Sequence, residues 1–190
     1  MKILAIQNRM GIGDTVIFLP FIKALSKKFN SPISILVKKN SKADQYLHQT
    51  KYIDKILLLE RDKKINNRHG GLLGIFNLIK DIKKHNFDKI IIFNSSFRFN
   101  LIAKFSGIPK IYQYPLFQKS KQHITDFPRK FIRDKLDLVV NEDPEVQIDD
   151  ESISNSIKKF KINKDEMNIL LGIGGSGPTK RIPSNIFLSV

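Results

Sequence analysis

Gly11, Gly13 and Asp14 stand together in RMGIGDTVIFLPFIKAL (residues 9 to 25), just after the apolar run Ile3-Leu4-Ala5-Ile6. A carboxylate at the start of a helix can do one of two things. It caps the helix, meeting its free N–H groups and the positive end of its dipole. Alternatively, it takes a proton from a hydroxyl within hydrogen-bond reach, acting as a general base. Glycines beside it let a substrate approach the backbone closely. With a strand before and a helix after, Asp14 stands where a parallel sheet opens into a cleft, the place where open α/β folds bind ligands.

A second cluster is GIGGSGPTK, residues 172 to 180. Glycines with Ser176 and Thr179 can turn backbone N–H groups and hydroxyls toward a phosphate, and Lys180 supplies countercharge. The order G-x-x-x-x-G-K-[ST] is absent, so this is not a Walker loop. An interdomain turn with Pro183 in a first helical turn accounts for the same residues without a ligand. A third cluster, Asn94, Ser95 and Ser96, follows an apolar run, with Arg98 just beyond. These residues either cap a strand end or line a binding site, and Arg98 either meets an acidic group or is solvated. His123, in QHITDF, reads as a surface-loop histidine. His48, His69 and His85 show no partner pattern, and nothing resembles a metal triad.

The elements that must position these residues alternate. Strands are expected at Lys2–Ile6, Ile33–Val37, Lys55–Leu59, Lys89–Phe93 and Lys110–Tyr114. The first and fourth are continuous apolar runs, which suits strands buried on both faces of a parallel sheet. Phe18, Ile22, Leu25 and Phe29 form one helical face, with Pro20 implying a late start or an early kink. A second helix is expected over Leu72–Lys84, burying Leu72, Ile75, Phe76, Ile79 and Ile82 and exposing Lys80, Lys83 and Lys84. This alternation predicts an α/β fold, a Rossmann-like doubly wound parallel sheet. Pro115–Asp126 reads as a loop. The acidic NEDPEVQIDD (141–150) marks a linker, Glu151–Phe160 a helix, Met167–Gly172 a new strand, and Ile182–Val190 a helix start.

Composition narrows the classes. Lys+Arg 33 against Asp+Glu 18 gives a net charge of +15. A solvated Lys-rich surface, as an AT-rich coding sequence yields, accounts for it. So does an anionic membrane or phosphorylated glycolipid partner. Nucleic acid is not expected, because the basic residues are scattered and no nucleic-acid motif accompanies them. There is no cysteine, so no disulfide framework or thiolate metal site. The start MKILAI is not a signal peptide, and no apolar run approaches a membrane span. A cytoplasmic protein is expected, with peripheral contact with the inner face of a membrane as the open alternative.

The order of strand, Gly13-Asp14 and apolar helix resembles the opening of the heptosyltransferase family, glycosyltransferases that add heptose from ADP-heptose to the lipopolysaccharide inner core. Two further stretches carry the resemblance. Lys180-Arg181-Ile182-Pro183 matches the family's loop of Lys, a variable residue, an aromatic and Pro, except that Ile182 replaces the usual Trp. FDKIIIFNSSFRFNLIAKFSGIPKIYQY (87–114) keeps the order Phe87-Asp88, Arg98, Gly107-Ile108-Pro109 and Tyr112.

The resemblance implies a GT-B architecture, an inverting mechanism, no metal, and no cofactor beyond a nucleoside diphosphate sugar as substrate. It implies Asp14 as catalytic base, with Gly11 and Gly13 beside the substrate. Lys180 would contact the donor diphosphate, with Ser176 and Thr179 as hydroxyl donors. Asn94, Ser95 and Arg98 would face an acidic glycolipid acceptor. The expected organisation is an acceptor-binding domain over 1–150, a linker helix over 151–165, and the truncated start of a nucleotide-sugar domain over 166–190. Such a fragment alone is expected to be inactive. Two other readings stand beside this one: a non-catalytic nucleotide- or anion-binding Rossmann-like domain, and a basic nucleic-acid binder.

Overall fold

The computed structural model describes residues 1–9, 11–61, 67–116, 123–170 and 183–187. The chain divides into two compact units, Met1–Ile148 and Asp149–Val190. In the first unit, strands β1 (Ile3–Ile6), β2 (Ile33–Lys38), β3 (Ile53–Leu59), β4 (Lys89–Ile92) and β5 (Lys110–Gln113) form one sheet in the order β3-β2-β1-β4-β5. Every pairing is parallel. Helices α1 (Ile12–Phe29), α2 (Ala43–Tyr46), α3 (Leu73–Lys83), α4 (Phe97–Phe105) and α5 (Asp126–Leu136) make the connections, with a 3-10 turn at Lys39–Ser41. The expected α/β Rossmann-like sheet is therefore the observed fold.

Side chains alternate across the pleat, and the two faces of β1 build two cores. Ile3 and Ala5 meet Phe18, Leu19, Phe21, Ile22 and Leu25 of α1, with Phe131, Ile132 and Leu136 of α5. Leu4 and Ile6 meet Leu78 and Ile82 of α3, with Phe99, Ile102 and Ala103 of α4. The central strand is buried along its whole length, and the edge strand β3 exposes Asp54 and Lys55. Charged residues on an edge strand discourage pairing with another chain.

Two expectations about helices need correction. Pro20 neither delays nor ends α1, which starts at Ile12 and runs on to Phe29. The ring removes the N–H that would bond the Val16 carbonyl, but burial of Phe18, Leu19, Phe21, Ile22 and Leu25 against the sheet holds the helix together. In α3, Gly74, Leu78 and Ile82 are buried, whereas Leu72 and Phe76 are exposed. Gly74 sets this rotation. A Cβ there would lie 2.1 Å from the backbone carbon of His69, so the helix comes down on its glycine and turns Leu72 and Phe76 outward.

The acidic stretch 141–148 is not a free linker. It lies along α1: Lys23 pairs with Glu142 and Glu145 at 3.2 Å each, and Lys27 pairs with Glu142. Tyr52 Oη donates to the Glu145 carbonyl (3.2 Å), and Lys51 N–H donates to Gln147 Oε1 (2.9 Å).

In the second unit, α6 (Asp150–Phe160) is capped by Asp149, whose carboxylate accepts the Ser152 N–H. Met167–Leu170, the described part of the expected last strand, has no strand pairing, and a short helix α7 spans Ser184–Phe187. Ser176, Thr179 and Lys180 lie outside the described residues.

Candidate functional site

The sheet order places a switch point between β1 and β4. From β1 the chain winds outward through β2 to β3, and β4 then begins on the other side of β1. Connections leave β1 and β4 toward opposite faces, so the backbone parts beyond their carboxyl ends, where ligands bind in open α/β sheets. A cavity of about 250 Å³ lies there. Asn8 and Arg9 follow β1 into its wall, Asn94 and Ser95 follow β4, and Tyr114 follows β5, with His123 and Phe127 opposite. Its floor is aromatic. Phe93 meets Phe18 and Tyr114 edge-on at centroid distances of 5.3 and 5.9 Å, and Tyr114 meets Phe127 at 4.4 Å. A polar rim over an apolar floor is the usual composition of a small-molecule site.

Two polar groups of this cavity have no hydrogen-bond partner among the described residues: the Tyr114 hydroxyl and Asn94 Nδ2. Burial pushes the Tyr114 phenol up, against a smaller opposing pull from the Arg9 charge, so it is a neutral donor at physiological pH. Buried polar groups are rarely left unmatched, which makes these two available to a ligand. Asn94 is held in place by its loop. Its Oδ1 accepts the Ser96 N–H (2.9 Å), and Gln113 Nε2 donates to the carbonyls of Asn94 (3.1 Å) and Ser96 (2.9 Å). Gln113 is itself oriented by Asn100 Nδ2 (2.8 Å).

Asp14 sits in the first turn of α1, half-buried. Its Oδ2 accepts the Gly11 N–H at 3.0 Å, and Thr15 Oγ1 donates to the Gly11 carbonyl at 3.1 Å. Gln7, directly after β1, donates through Nε2 to the Asp14 carbonyl at 3.3 Å. The two glycines are used differently. A Cβ on Gly11 would press on Asp14 Oδ2 at 3.3 Å, so glycine there makes room for the carboxylate. A Cβ on Gly13 would meet nothing within 4 Å, so its backbone faces open space. No described residue donates a hydrogen bond to Asp14 Oδ1. Among the described residues the carboxylate is thus held through one oxygen only. Asp14 is not among the side chains lining the cavity.

Arg98 is placed elsewhere. Its guanidinium donates to the carbonyls of His69 (2.5 Å) and Gly71 (2.8 Å), pinning the turn before α3. Burial lowers its pKa, and the nearby Arg61 charge adds to the effect. His69 does have partners. Its Nδ1 accepts the Glu60 N–H (3.0 Å), and its Nε2 lies 3.2 Å from Asp81 Oδ2. Arg68 and Lys84 also bond Asp81. Desolvation pushes the Asp81 carboxyl up, but hydrogen bonds from Arg68, His69 and Lys84 outweigh it and hold the group at about 2.

The structure therefore brings Asn94 and Ser95 into one cavity, sets Gly11, Gly13 and Asp14 on the turn beyond β1, and commits Arg98 to a backbone turn. Sequence reasoning missed Asn8, Arg9, Tyr114 and Gln113. For Asn8 and Arg9 the available signal was a polar run just past the end of β1. Tyr114 also lies two positions beyond Tyr112, on the same strand face. Among the described residues, no three His, Asp or Glu side chains come together to hold a metal ion, and no helix is long and apolar enough to cross a membrane.

No protein-family model matches the chain, and comparison with curated protein sequences finds no match. Solved structures do match. A glycosyltransferase family 9 structure from Veillonella parvula superposes over 99% of this chain and 58% of its own, with a TM-score of 0.74 at 18% identity. The Escherichia coli ADP-heptose lipopolysaccharide heptosyltransferase II covers 86% of this chain and 52% of its own (TM-score 0.56, 15% identity). An E. coli heptosyltransferase solved with ADP covers 97% and 62% (TM-score 0.56, 11% identity). The chain thus spans little more than half the length of these structures, and it shares their fold over that span. The resemblance read from the sequence holds at the level of the fold.

Proposed function

We propose that this chain is the acceptor-binding part of a heptosyltransferase-like glycosyltransferase. The reaction is transfer of a heptose-like sugar from a nucleoside diphosphate, of the ADP-heptose kind, to an acidic glycolipid of the lipopolysaccharide inner core. The observation that carries the reading is the joint position of cavity and carboxylate. The cavity opens at the β1/β4 switch point, and Asp14, with no described donor to Oδ1, stands in the first turn of the helix that leaves β1.

In this reading the acceptor sugar lies over the aromatic floor, against the Asn94 amide, the Tyr114 hydroxyl and Arg9. Its hydroxyl oxygen forms a bond to the anomeric carbon while the carbon–oxygen bond to the diphosphate breaks. The bonding pair leaves with the diphosphate, and the acceptor proton passes to Asp14 Oδ1. Inversion at carbon follows from this single displacement. Lys180, Ser176 and Thr179 would support the charge that grows on the leaving diphosphate. No metal takes part, as the resemblance implies.

One observation favours the binding-only alternative: Asp14 already serves the Gly11 N–H, as a helix-capping acid does. Asp14→Asn separates the two, because an amide oxygen still accepts that N–H but takes no proton. In a full-length parent protein carrying both halves, sugar transfer from ADP-heptose to inner-core lipid acceptor should fall about a thousandfold, within the usual range for loss of a general base. Acceptor binding and thermal stability should stay unchanged. Turnover within threefold of the parent removes Asp14 as the base.

A further inference from the structure

Three of the most exposed large apolar side chains of the first unit are neighbours. Leu72 is 79% exposed, Leu73 78% and Phe76 68%. At 100° per residue, Leu72, Leu73, Phe76, Lys80, Lys83 and Lys84 fall within an arc of roughly 120° on one side of α3, opposite the buried Gly74, Leu78 and Ile82. The apolar members occupy the first turn and the lysines the last. Phe76 and Lys80 are four residues apart, about 6 Å along the axis, close to the depth of a lipid headgroup layer.

This apolar tip is held in place rather than frayed. Arg98 bonds the carbonyls of His69 and Gly71, Gly71 adopts φ +59°, and Gly74 packs on the His69 backbone. Asp81 ties the helix back to Arg68 and His69. Charge identifies the occupant. Residues 72–84 and 97–105, the two neighbouring helices of this layer, carry five basic side chains and one acid, Asp81, and that acid is already ion-paired. Among the described residues, Lys80 and Lys83 have no carboxylate partner. A second copy of this chain, at net charge +15, would be repelled.

We infer that this end of α3 docks the protein on an anionic lipid bilayer. Leu72, Leu73 and Phe76 enter the headgroup–acyl boundary, and Lys80 and Lys83 contact lipid phosphates. α3 and α4 both begin at the carboxyl edge of the sheet, as the cavity does, so a docked molecule presents its cavity at the height of lipid headgroups. The inference rests on exposure and charge, not on sugar transfer, and membrane binding tests it separately.

The protein is sedimented with vesicles of phosphatidylglycerol and phosphatidylethanolamine, and with phosphatidylcholine vesicles. Binding is expected to the first and not the second. Leu72→Ser/Leu73→Ser/Phe76→Ser should weaken the partition on the order of a hundredfold, and Lys80→Gln/Lys83→Gln roughly thirtyfold. Val139→Ser, at another exposed apolar position, should leave it unchanged. A second readout does not depend on loss of binding. The chain has no tryptophan, so Phe76→Trp supplies a lone indole whose emission should shift to the blue on anionic vesicles, while that of Val139→Trp should not. The inference is overturned by absent binding, by equal binding of parent and triple variant, by unshifted indole emission from the Phe76→Trp protein, or by a dimer in light scattering that the triple variant dissolves.

Discussion

The two helical layers of the first unit cover the same sheet and meet it through the same strands, yet they treat charge and apolar surface in opposite ways. The α1/α5 layer is closed over its aromatic core, with Val139 and Ile148 exposed beside it. Its aromatic cluster around Phe93 is sealed by α5, and the stretch 141–148 lies along α1 with its carboxylates on Lys23 and Lys27. Together α1 and residues 126–148 carry seven basic and seven acidic side chains. The α3/α4 layer has no such cover. It leaves Leu72, Leu73, Phe76 and Phe105 exposed, and its lysines outnumber its single acid. The positive charge is therefore not spread evenly as a by-product of composition. It is balanced over α1 and residues 126–148 and left unbalanced over α3 and α4.

One residue type tests this contrast most severely. Phe93→Ala empties a buried aromatic cluster and should cost about 3–5 kcal/mol in urea unfolding. Phe76→Ala, on the open layer, should change stability by no more than about 0.5 kcal/mol. A cost above about 1.5 kcal/mol for Phe76→Ala would mean that this layer is covered in solution, and the contrast would fail.

The glycines give the next largest difference. Gly74→Ala should destabilise by about 1–3 kcal/mol, because the new methyl group meets His69 backbone that cannot yield. Gly13→Ala meets nothing, so the better helix propensity of alanine should make it neutral or stabilising by up to about 1 kcal/mol. Equal effects in thermal melts would refute the packing assigned to α3.

A smaller effect concerns acid. Folding lowers the Asp81 carboxyl from 3.8 to about 2, so its contribution is complete above about pH 4 and is lost as pH falls from there toward 2. Asp81→Asn should lower stability at pH 7 by about 1–2 kcal/mol and should flatten the pH dependence below pH 4. An unchanged acid limb in the variant would show that the Arg68–His69–Lys84 cluster is not what holds α3 in place.

The sheet was legible in the sequence because its inner strands are unbroken apolar runs, buried on both faces. The orientation of α3 was not. Its apolar residues occupy both sides of the helix, and contacts distant in sequence, that of Gly74 with the His69 backbone among them, decide which side packs. The cavity was half legible. Asn94, Ser95 and the turn to Asp14 come soon after strand ends, and polar residues at such positions stand out. Tyr114 and Gln113 belong to the wall and its support through pairings that link β4 to β5 across the sheet, a relation that neighbouring residues in sequence do not carry. Arg98 was readable as a helix arginine, but its partners are backbone carbonyls, which have no sequence signature.

The acidic stretch along α1 has an electrical consequence. With Glu142 and Glu145 on the lysines of α1, and with Lys80 and Lys83 of α3 lacking a carboxylate partner among the described residues, these two layers contribute a dipole moment that points toward α3. In the field of a negatively charged surface that moment exerts a torque, so the molecule turns its α3/α4 side forward while still approaching, before any side chain makes contact.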